Sequence, residues 1–133
     1  MQPAAYREHF GWMVDDRENP PRLLLGHNMV ALTMPRTRGV AVLEYLCRQD
    51  IRSPVLEPDL GSWAFLADSN GLVLTPGDLP EDVKLLGCGA MLPVPLTTAN
   101  PAVRWVVAPD VRQRWLPSLA ALMAAVRTMA RFR

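Results

Sequence analysis

Lysine is almost missing from this chain: Lys84 is the single one, against thirteen arginines in 133 residues. Cysteine and histidine are scarce too, with two of each. Cys47 and Cys88 give no disulfide framework, and no Cys or His spacing matches a zinc site. No apolar stretch approaches the roughly 20 residues of a membrane helix. Residues 1–8 hold no apolar run of the kind a secretion signal needs. A reduced, cytoplasmic protein without a membrane partner is the expectation. Phosphate-cradling motifs are also absent. Neither G-x-x-x-x-G-K-[ST] nor G-x-G-x-x-G occurs, and Gly87-Cys88-Gly89 lacks both a third glycine and a following helix. No D-x-D stands on a candidate strand, so the converging carboxylates of two-metal phosphoryl transfer are missing.

What is present is apolar. Half of the residues are hydrophobic, and the length suits one domain with a real core. The net charge of +1 hides an asymmetry. Residues 104–133 carry six arginines and one acid, Asp110, while residues 1–103 carry eight basic and twelve acidic residues. Such a contrast points to an anionic partner, to a solvated helix face, or to arginines docking on the acidic part of the same chain.

The pattern along the chain is α+β: a small, mainly antiparallel sheet of short strands with N-terminal, middle and C-terminal helices packed on it. Residues 3–14 predict a helix with Tyr6, Phe10 and Met13 on one face. The breaker over 15–21, with Pro20-Pro21, sets residues 1–21 apart as a helical arm. Residues 29–34 read as a buried strand. A helix over 38–49 follows, capped by Thr37, with Val40, Leu43 and Cys47 on one face and Val42 and Leu46 beside it. Strands are expected at 54–57, 62–68, 72–75, 83–86, 90–94 and 103–107. Asn70-Gly71 suggests a hairpin between the second and third of these. Pro93 and Pro95 place their strand at an edge or end it there. Within 103–107, alternation puts Val103, Trp105 and Val107 on one side. Asp110 would cap a basic amphipathic helix over about 111–130, within the segment 111–133. Its stripe is Trp115, Leu119, Leu122, Val126 and Met129, with Pro117 in the first turn.

Chemistry-bearing residues find structural roles more readily than catalytic ones. Cys88 lacks a sequence-adjacent base and reads as a small buried thiol, and Cys47 as core. His9 and His27 read as surface residues, with no carboxylate cluster to make a metal site. Trp105 and Trp115 fall on apolar stripes, although the adjacent Arg104, Arg112 and Arg114 would suit base stacking if the rings were exposed. No catalytic residue, metal ligand or cofactor site emerges.

Several segments taken in order carry a resemblance. They are residues 30–35, 39–46, 53–56, 63–66, 83–87 and 92–95, and Arg104-Trp105-Val106-Val107-Ala108-Pro109-Asp110. Over residues 28–110 the chain resembles small actinobacterial proteins related to the N-terminal domain of bifunctional DNA primase/polymerases. The resemblance implies an α+β scaffold. Polymerising members are implied to use carboxylates in a D-x-D-like strand motif and a nearby histidine, and this sequence lacks that motif.

Two functions from different classes follow. The first is a non-catalytic protein-interaction or regulatory module that self-associates or takes a protein partner, with Tyr6, Phe10 and Met13 as docking residues. The alternative is nucleic-acid or nucleotide binding by a degenerate primase/polymerase-like domain through Arg104, Arg112, Arg114, Arg127 and Arg131. A small enzyme built on an exposed Cys88 is a third reading.

Overall fold

The computed structural model describes residues 3–17, 20–74, 77–95, 103–110, 112 and 115–131. Its elements run α1 (Pro3–Phe10), β1 (Val14–Asp15), β2 (Arg22–Leu24), β3 (Met29–Pro35), α2 (Arg36–Arg48), β4 (Val55–Asp59), β5 (Ser62–Asp68), β6 (Lys84–Leu86), β7 (Met91–Pro93), β8 (Arg104–Val107) and α3 (Leu119–Arg131). A five-stranded sheet has the order β6-β3-β5-β4-β8, and a three-stranded sheet the order β1-β2-β7. All named pairings are antiparallel. The α+β expectation is met, with one large sheet and a second small one.

Period-two alternation explains the layering. On β3 and β5, Val30, Leu32, Met34, Trp63, Phe65 and Ala67 pack with Val42 and Leu46 of α2 and with Leu119, Leu122 and Val126 of α3. The intervening Met29, Ala31, Ala64 and Leu66 join Leu23 and Leu92 of the small sheet, Tyr6 of α1, and Trp12. The large sheet is therefore covered on both faces. Its strands read as continuous apolar runs for that reason.

The helices differ from their sequence-predicted bounds. Gly11 ends α1 early, at φ +70, with its N–H bonded to the Arg7 carbonyl at 2.9 Å. Met13 consequently leaves the helix. The helix is not held off as a separate arm: Tyr6 is fully buried. Thr37 lies inside α2, which starts at Arg36 after Pro35 without a side-chain cap. The buried face of α2 is Arg38, Gly39, Val42 and Leu46, while Val40 and Cys47 are exposed. Gly39 selects that face. A Cβ there would lie 2.7 Å from the Trp63 ring, so only glycine lets the helix sit this close to β5.

Helix α3 begins two residues after Pro117. Ser118 caps it, accepting the Ala121 N–H on Oγ at 3.1 Å. Asp110 instead closes a local turn by accepting the Arg112 N–H at 2.9 Å. Trp115 is thereby off the helix, and it is 87% exposed rather than core.

Two strand expectations also change. Residues 72–74 form no strand. The hairpin is β4–β5, closed around Leu60-Gly61, where Gly61 has φ +86. Thr75 lies outside the described residues. In β8, Val55 faces Val107 while Leu56 faces Trp105, so the register slips by one residue. That bulge brings Val106 and Val107 to the helix side, and Trp105 and Val103 to the other. Strand β2 was not anticipated. Pro93 does end the edge strand β7, as expected.

Candidate functional site

Two of the crossings between the sheets lie side by side. The first leaves β2 through a two-residue turn at His27-Asn28, with φ of 52° and 73°. Gly26 and Met29 exchange both backbone hydrogen bonds, at 3.1 and 3.0 Å. Two left-handed central residues make this a type I′ turn, which Asn accepts easily and His less so. The second crossing runs from β6 to β7. There the Ala90 N–H bonds the Gly87 carbonyl at 3.0 Å around Cys88-Gly89, with Gly89 at φ +92. Leu25 pins the two together, donating to Ala90 at 2.9 Å and accepting from Gly89 at 3.1 Å.

Beside these crossings is a cleft of about 690 Å³. Residues 10–13, 24–29, 88–89 and 115–116, together with Asp68, line it. The volume suits a small ligand or the side chains of a partner. Phe10 and Trp12 stack at 4.8 Å on one wall. Trp115 stands on another, and Met13 and Leu24 at the mouth are exposed. Leu24 pairs with Met91 across β2 and β7, and Met91 is exposed as well.

The polar groups of the cleft are His27, Asn28, Asp68 and Cys88. Cys88 is exposed, which corrects its reading as a buried thiol. No hydrogen bond joins His27, Asp68 and Cys88 among the described residues, so they do not form a nucleophile–base relay. No group of three or more His, Cys, Asp and Glu among the described residues could hold a metal ion. Asp68 accepts the Asn70 N–H on Oδ1 at 2.8 Å, which fixes its carboxylate at the end of β5. Its backbone N–H donates to Pro117 at 2.8 Å and brings the 115–118 segment to the cleft.

Behind the cleft, the Tyr6 hydroxyl accepts from Trp105 Nε1 at 2.9 Å and donates to the Pro95 carbonyl at 3.1 Å. Burial raises the Tyr6 pKa, and the Trp105 hydrogen bond opposes the rise. Trp105 is half-buried against this layer.

The three docking residues expected from sequence thus separate. Tyr6 is core, Phe10 is half-buried in the cleft wall, and Met13 is exposed at its mouth. Leu24, Met91 and Trp115 were missed. Three consecutive leucines, Leu23-Leu24-Leu25, carry no period-two signal that Leu24 faces out, whereas Pro117 would have moved Trp115 off the helix.

Two of the five arginines, Arg104 and Arg127, are engaged by acids of the same chain. Arg104 Nε donates to Glu57 Oε1 at 2.7 Å. Glu57 is buried on β4 and also accepts from Trp63 Nε1 at 3.1 Å. The Arg104 hydrogen bond holds the Glu57 carboxyl below its ordinary range, against the opposing effect of burial. Arg127 pairs with Asp78 at 3.6 Å, and Arg52 with Asp110 at 3.8 Å. Arg104 lies on edge strand β8, whereas Asp78 belongs to the loop leading to the opposite edge, β6. Four strand spacings separate those edges, or about 19 Å. Arg112 is exposed. Arg114 and the Arg131 side chain lie outside the described residues.

No family model, no curated protein and no solved structure matches the chain. No described helix is long and apolar enough to cross a membrane.

Proposed function

We infer that this chain is a non-catalytic interaction module that self-associates through the mouth of the cleft. One observation carries the reading. Trp115, 87% exposed, stands beside a cleft whose mouth holds the exposed Met13 and Leu24, with Met91 paired to Leu24. A projecting indole and an apolar hollow on one surface can satisfy each other between two copies, and tryptophan is the side chain most enriched at interface hot spots. The net charge of +1 offers little repulsion between copies. The unlinked His27, Asp68 and Cys88 supply no catalytic relay to compete with this reading.

The nucleic-acid alternative draws less support, because Arg104 and Arg127 already hold carboxylates of this chain. The resemblance to primase/polymerase N-terminal domains enters as scaffold alone.

Light scattering across a hundredfold range of protein concentration tests the proposal. The wild-type chain is expected to form a defined oligomer, and Trp115→Ala to weaken it by at least about tenfold. Its stability should change by less than about 0.5 kcal/mol, since the ring touches mainly solvent. A wild-type chain that stays monomeric, or an alanine variant that assembles normally, overturns the reading.

A further inference from the structure

The same cleft has an electrostatic character that self-association does not require. Among the described residues that line it there is no arginine or lysine, in a chain with fourteen such residues. It holds one carboxylate, Asp68, and three aromatic rings, Phe10, Trp12 and Trp115. Asp68 Oδ1 is used by the Asn70 N–H, while Oδ2 has no hydrogen-bond partner among the described residues. Aromatic faces attract cations through their negative quadrupole, and a carboxylate beside them adds direct Coulomb attraction. Among the described residues of this lining, no Lys or Arg offers an anion a counter-charge.

We propose that the cleft binds a small organic cation, an ammonium group carrying apolar substituents. The ammonium sits toward Asp68, and the substituents lie against Trp115 and the Phe10–Trp12 pair. No covalent step is involved. The proposal goes beyond the interaction reading; the two share Trp115, and Asp68, which is not among the apolar residues assigned to the interface, tells them apart.

The test uses the full chain at a concentration where light scattering reports monomer. Choline is titrated while the indole N–H resonances are followed by NMR. Its neutral carbon isostere, with tert-butyl in place of trimethylammonium, is titrated in parallel. Choline is expected to shift the Trp115 indole signal and to bind about tenfold more tightly than the isostere. Asp68→Asn keeps the Oδ1 acceptor for Asn70 and should remove most of that preference while leaving oligomer formation intact. Trp115→Leu keeps an apolar wall and should weaken choline binding. Equal binding of choline and the isostere, no binding of either, or an undiminished preference in Asp68→Asn would each overturn the proposal.

Discussion

The two faces of the five-stranded sheet are closed by different means. On the helix side, long elements present aliphatic stripes: α2 and α3 bring Val42, Leu46, Leu119, Leu122 and Val126 onto Leu32 and Phe65. On the other side the cover is assembled from short pieces. They are an eight-residue helix, two- and three-residue strands, and a cluster of Tyr6, Phe10, Trp12 and Trp105 with neighbouring ring centroids 4.8–6.3 Å apart. A helix stripe seals continuously. Short pieces joined by turns meet at corners, and the cleft sits at the corner where the β2–β3 and β6–β7 crossings pass. The difference teaches where this molecule is sealed and where it is open: the helix face is closed by continuous stripes, and the patched face leaves a cleft.

Substitutions can break that contrast. Phe65 is fully buried at the centre of the helix-covered face. Phe65→Ala should cost about 3–5 kcal/mol by chemical denaturation, the range for emptying a packed aromatic site. On the patched face, Tyr6→Phe keeps the ring but removes the hydroxyl that links Trp105 Nε1 to the Pro95 carbonyl. The loss should be about 1–2 kcal/mol, the cost of leaving buried partners unmet.

The smallest effect is expected at the sheet edge and should appear as pH dependence. Glu57 titrates below its ordinary value of 4.5 in the folded chain because Arg104 holds its charged form. The unfolded chain then binds more protons in that interval, so stability rises with pH across it. The contribution is complete above the ordinary value and is lost as pH falls through the folded one. Glu57→Gln should flatten that acid limb in urea melts run at several pH values. Asp15, held at about 2 by hydrogen bonds from Arg17, adds to the same limb and would remain.

Much of this architecture was legible from residue patterns. Strands β3, β5 and β8 showed their continuous or alternating apolar character, and the three helices showed their periods. What misled was local. Val40 and Cys47 share a helical stripe, but Gly39 decides which face meets Trp63, and a glycine carries no hydropathy signal for a packing contact. Asn70-Gly71 offered good turn chemistry, yet β5 already pairs with β3 and β4 on its two sides, leaving no edge for a third strand. The cleft was the least legible part. It is built by Leu24, Cys88 and Trp115, which are distant in sequence and meet only because two crossings and the Asp68–Pro117 bond bring them together.

The sheet edges have a consequence for aggregation. An open strand edge invites pairing with another chain, and charged residues or proline blunt it. Lys84 stands on β6 and Arg104 on β8, the two margins of the large sheet. Asp15 stands on β1 and Pro93 on β7, the margins of the small one. All four margins are guarded, which disfavours open-ended polymerisation by strand addition. The association proposed above would then run through side-chain surfaces, which can close on themselves and stop at a finite size.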